Sequence, residues 1–210
     1  MDLLTAAANF RRAIRHSDNL IAVHRSTNSG RGRRTKEISL NRAAIVLAVA
    51  TWQASVEDLT IAAIDVSRPA QQHAYLDRAY DVVTGKIRVD VKQFSTANAQ
   101  NSRRLLLGVG FDPRPHWTWS AVGRTPAIRP HQVESRLDDW LKLRHALAHG
   151  DPELPAVEVL ECVRNNEQLA DGPSVRLADA ENCVKFVRRL VAATGDGLAQ
   201  HLSTPAAIWR

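Results

Sequence analysis

Residues 37–66, EISLNRAAIVLAVATWQASVEDLTIAAIDV, are apolar on nearly every side of a helix. A helix lying on a surface needs one polar face, so this segment belongs at the centre of a bundle with other helices around it. Its longest apolar run, Ala43 to Trp52, is closed by Arg42 and Gln53. That is about half the roughly 20 residues a bilayer span requires, so the run reads as a buried helix and no membrane partner is expected. Elsewhere apolar residues recur at spacings of three and four, and almost nowhere do they alternate long enough for a strand. The expected fold is all-α: a single domain over residues 1–210, built as a bundle of about five to six helices.

The periodicity predicts helices at about 2–26, 37–66, 69–86, 97–109, 131–149 and 179–202, with Asp179 as N-cap of the last. Residues 2–26 either join the bundle or form an appended arm. Long loops are expected at 27–36, 111–130 and 151–177. The first, around TNSGRGRRTK, is rich in Gly and Arg. The second is Pro-rich and carries Trp117 and Trp119, which would pin it to the helices. The third has room for a short helix or strand at VEVLECV. In the central helix Gln53, Glu57 and Asp58 need partners, because a half-buried carboxylate is costly unless it meets a cation or several donors.

The net charge of +6 and the pI near 9.9 favour an anionic partner, nucleic acid first. Only five of the 28 basic residues are lysine, and guanidinium forks match phosphate oxygens better than ammonium groups do. MDLLTAAANF lacks the basic and apolar regions of an export signal. Cys162 and Cys183 stand far apart with no C-x-x-C partner. Both features point to a reduced, cytoplasmic protein. Arg31, Arg33 and Arg34 in the basic loop are candidates for RNA-backbone contacts.

The pattern R-x4-H occurs three times, as Arg11–His16, Arg68–His73 and Arg144–His149. The first lies in an arginine-rich helix and the second spans Pro69, which breaks or starts a helix between its members. The third, in LRHALAHGDP, ends a helix: Gly150 suits a C-terminal cap and Asp151-Pro152 stops the chain from continuing. A step of about 100° per residue puts Leu137, Trp140, Leu141, Leu147 and Ala148 on one stripe with Arg144 in its middle. His145 and His149 lie about 40° apart on the flank, with Arg144 about 100° from the nearer and 140° from the farther. A long arginine side chain, an unwound last turn or a second subunit must close that gap.

Three stretches, LNRAAIVLAVATWQASVEDL, FSTANAQNSRRLLLGVGFDPRPHWTWS and LDDWLKLRHALAHGDP, together resemble the HEPN superfamily, in particular its single-domain RiboL-PSP-type branch. The resemblance covers most of residues 37–202, and the closing stretch NCVKFVRRLVAATGDGLAQHL is also similar to the family's last helix. In that superfamily an R-x4–6-H motif ends a helix of an all-α bundle. Here His145 holds the polar position after the arginine. Gln53 stands where an acidic residue is expected, which is the one departure. The resemblance implies a metal-independent endoribonuclease without cofactor, active as a homodimer. Such proteins are commonly the toxin or defence effector of a bacterial system, with an antitoxin or other partner protein. It also implies catalytic roles for Arg144, His149 and His145, supported by Gln53, Glu57, Asp58 and Gly150.

Other readings of the same residues exist. The two histidines at i and i+4 could share zinc, but no glutamate of an H-E-x-x-H motif lies between them and no third ligand is near in sequence. Gly108 and Gly110 lack the strand and third glycine of a dinucleotide site, and fit a helix stop. A non-catalytic HEPN module that binds RNA or acts as a scaffold, and a helical interaction partner whose Arg144 only holds a dimer, are the alternatives to an enzyme.

Overall fold

The computed structural model describes residues 1–26, 35–69, 74–120, 127–168 and 172–209. They form seven α-helices: α1 (Leu3–Ser26), α2 (Thr35–Val66), α3 (Ala74–Lys92), α4 (Ala99–Gly108), α5 (Pro130–His149), α6 (Glu161–Arg164) and α7 (Leu177–His201). Among the described residues there is no strand, only a single antiparallel bridge between Trp119 and Ile128. The basic loop with Arg31, Arg33 and Arg34 lies outside the described residues.

α2 is the axis, packed against α1, α3, α4, α5 and α7. Ala44, Ile45, Ala48, Val49, Trp52, Val56, Leu59 and Ala63 are buried along it. Its interior hydroxyls are satisfied locally: those of Thr51, Ser55 and Thr60 each donate to the carbonyl four residues back. Ion pairs set the order of the neighbours. Met1 pairs with Asp65 and Asn9 donates to Asp58 at 2.9 Å, so α1 runs antiparallel to α2. Arg25 meets Glu181 at 2.7 Å and Asp18 meets Arg188, so α7 runs antiparallel to α1 and parallel to α2. Leu3, Phe10 and Ile14 are buried, which makes α1 part of the bundle and not an appended arm.

Three helices differ from expectation. α3 begins and ends five or six residues later than the sequence suggests, because Thr84, Ile87 and Val91 extend its buried face past Gly85. α4 begins after Asn98, whose side chain accepts from Asn101 N–H at 2.7 Å. α7 begins at Leu177, two residues before Asp179. Asp179 is thus not the N-cap: one carboxylate oxygen takes the Arg176 N–H and the other the Glu161 N–H, each at 2.8 Å. A single fully buried side chain therefore caps both α6 and α7.

The Pro-rich connection between α4 and α5 is held by its tryptophans. Trp117 is fully buried, donates to Thr194 Oγ1 at 3.0 Å and meets Trp52 edge-on. Trp119 packs on Phe186. The connection after α5 buries Leu154, Val157, Val159 and Leu160 before the one-turn α6.

Candidate active site at the end of α5

α5 starts with Pro130, whose fixed φ suits the first helical position. It stays α-helical through His149, where Gly150 closes it with φ 71° and ψ 31°. That left-handed conformation is the reason for glycine, since a β-carbon there would meet nothing within 4 Å. The intact helix removes one way of bringing Arg144 to His149, because the last turn is not unwound. A reaching side chain or a second subunit remains.

The buried face of α5 is Val133, Leu137, Trp140, Leu141, Leu143 and Ala146. Leu147 is only half-buried and Ala148 is exposed, although the apolar stripe includes both. Along the last two turns the buried side chains are Leu143 and Ala146, and Arg144 beside them is half-buried. Its Nε is buried without a hydrogen-bond acceptor, and among the described residues its guanidinium has no ion pair.

The carboxylates that precede Arg144 on α5 are engaged elsewhere. Glu134 pairs with Arg114 at 2.9 Å, Asp138 accepts from Ala99 N–H at 3.0 Å, and Asp139 lies 3.7 Å from Lys142. Burial pushes the Asp139 carboxyl above its ordinary range. The polar residues of α2 are likewise occupied. Gln53 Nε2 donates to Phe94 O at 2.9 Å and to Glu57 at 3.2 Å, and Asp58 accepts from Asn9. Burial raises the Glu57 carboxyl despite the bond from Gln53. None of these bonds reaches Arg144: Asp58 ties α2 to α1, Gln53 ties it to the α3–α4 connection, and Glu57 accepts from Gln53 within α2.

His145 and His149 stand side by side, rings nearly parallel at 11° and centroids 6.4 Å apart. His145 is half-buried and His149 exposed. The end of α5 therefore offers an unpaired guanidinium and two imidazoles to solvent, a set able to bind an oxyanion and to move protons beside it. Among the described residues no group of three or more His, Cys, Asp or Glu is gathered to hold a metal ion.

Away from Arg144, His145 and His149 a concavity of about 550 Å³ lies between α3 and α4, lined by Lys86, Phe94, Asn101 and Arg104 among others. It depends on where α3 ends and how α4 meets it, and periodicity alone carries no signal for it.

No protein-family model, no curated protein and no solved structure matches this chain.

Proposed function

We propose that the protein is a HEPN-type endoribonuclease that cleaves RNA without a metal, through Arg144, His149 and His145. The observation that carries this reading is the half-buried Arg144, whose Nε lacks an acceptor on the helix end that also presents two parallel imidazoles. A guanidinium left without a counter-ion costs stability unless something else binds there. A phosphate is the anion its fork fits best.

In the proposed reaction the ribose 2′-OH attacks its own adjacent phosphorus. The new O–P bond forms as the P–O5′ bond breaks, leaving a 2′,3′-cyclic phosphate and a free 5′-OH. His149 takes the 2′-OH proton or gives one to the leaving 5′-oxygen, a role suited to imidazole, and His145 shares that work or orients the phosphate. Arg144 binds the non-bridging oxygens and stabilises charge growing on the pentavalent phosphorus. A homodimer with its two-fold axis near the end of α5 would place two such sets in one cleft and use Arg144 of each copy in a self-complementary contact. The basic charge fits RNA, and the two buried, free cysteines suit a reducing cytoplasm. A toxin or defence effector restrained by an antitoxin or partner protein is the role this chemistry would serve.

The test is incubation of the purified protein with single-stranded RNA in EDTA, with analysis of the product ends. Cyclic phosphate ends that vanish in Arg144→Ala and His149→Ala support the assignment. Cleavage at the wild-type rate in both variants overturns it. Binding of RNA without any cleavage by the wild-type protein favours the non-catalytic module.

A further inference from the structure

The groove between α3 and α4 has the volume of a small-ligand site, about 550 Å³, and none of Arg144, His145 and His149 lines it. Lys86 on α3 and Arg104 on α4 form its two walls, and both are exposed. Neither has a hydrogen-bond or ion-pair partner among the described residues. Asp90, one turn along from Lys86, is the one carboxylate among the described residues that line it. The floor is the connection Gln93–Thr96, and it is fixed from below and from the side. Gln53 Nε2 donates to Phe94 O at 2.9 Å, and Asn101 Nδ2 donates to Thr96 O at 3.1 Å. Half-buried Phe94, which also packs against the core, and exposed Ser95 line the groove from that connection, and half-buried Asn101 lines it from α4.

This is a composite surface: two cations for an anion, an aromatic ring for a flat partner, and a hydroxyl, an amide and a carboxylate for a polar edge. A purely apolar ligand would desolvate Lys86, Asp90 and Arg104 with nothing in return. A nucleotide has all three matching parts: phosphate, base face and base edge. We propose that this groove binds one nucleotide unit of a single RNA strand, its phosphate between Lys86 and Arg104 and its base against Phe94. The choice of RNA as the source of the nucleotide rests on the function proposed above.

Binding is measured by fluorescence anisotropy of a short labelled single-stranded oligoribonucleotide, in the full chain carrying His149→Ala so that the probe stays intact. Lys86→Ala/Arg104→Ala raises Kd about tenfold, and the slope of log Kd against log salt falls by about 0.7, the share of one neutralised phosphate on a single strand. Asp90→Asn lowers Kd about threefold, an opposite change that damage to the fold would not produce. Unaltered Kd and salt slope in the double variant overturn the proposal. AMP, added alone and followed by backbone amide shifts at residues 95–104, separates the two sources of the ligand. Saturable shifts and displacement of the RNA identify a free nucleotide, and RNA binding without them identifies the chain. Binding of neither probe overturns the site. A wild-type protein that cuts no RNA, yet loses RNA affinity in the double variant, would sink the nuclease and leave the groove standing.

Discussion

The indole of Trp209 lies so close over Gly195 that a β-carbon at that glycine would stand 2.2 Å from Cζ2 and 2.3 Å from Cε2. Gly195 is in the interior of α7, where glycine is otherwise a poor choice, so the close approach explains the residue. Trp209 is buried and also tilts against Phe10 of α1, so this contact fastens the C-terminal segment to the bundle. Gly195→Ala is expected to cost about 1–3 kcal/mol in urea denaturation, the usual penalty of overpacking. In a Trp209→Ala background the same change should reverse sign and stabilise by up to about 1 kcal/mol through helix propensity. Equal penalties in the two backgrounds would assign the glycine to some other cause.

Arg144 gives a second, two-sided expectation. Its buried Nε has no acceptor, so Arg144→Met keeps the bulk of the side chain and removes an unsatisfied donor. Stability should rise by about 1 kcal/mol while RNA cleavage is lost. A loss of both together would point to a structural partner of Arg144. Arg144→Lys keeps the charge without the fork and should lower the cleavage rate about 100-fold in single-turnover assays.

The proposed reaction needs the 2′-hydroxyl beside the scissile phosphate. An oligoribonucleotide with one 2′-deoxy residue at the cleavage position should remain whole at that linkage on a denaturing gel, and single-stranded DNA should not be cut at all. Cleavage at the deoxy position would exclude transesterification.

Acid sensitivity should be traceable to Asp112. The paired Arg103 guanidinium, at 2.7–2.8 Å, holds its carboxyl below the ordinary range. A carboxyl whose folded pKa is depressed adds stability above its unfolded value, about 3.9, and loses it as pH falls through the lower folded value. The pair is partly exposed, so its contribution is under about 1 kcal/mol. Asp112→Asn should therefore lower Tm slightly at pH 6, and by progressively less as the pH falls below the unfolded value of about 3.9, as read by circular dichroism melting.

The bundle was legible in the sequence because its main signal is local. The all-round apolar pattern of residues 37–66 put that helix in the centre, and there it lies. Gly150 and the glycines after Leu107 mark helix ends through backbone chemistry that does not depend on neighbours. The expected helix at 69–86 stops short of the end of α3 because Ile87 and Val91 find a buried surface that only tertiary packing supplies. Asp179 was placed at the right junction in the wrong position, since its second bond, to Glu161 N–H, joins residues eighteen apart. At the end of α5 the sequence located the arginine and the histidines, and the angles between them follow from the helix. What it did not reveal is that Gln53, Glu57 and Asp58 are bonded to the α3–α4 connection, to each other or to α1, leaving Arg144 alone.

The central position of α2 has a consequence for the order of events during synthesis. α1 and α2 are neighbours in sequence and can zip together as soon as both leave the ribosome, but the cover for another side of α2 is α7, which follows all the other described helices in the chain. Until residues 177–201 emerge, that side of α2 stays open to water.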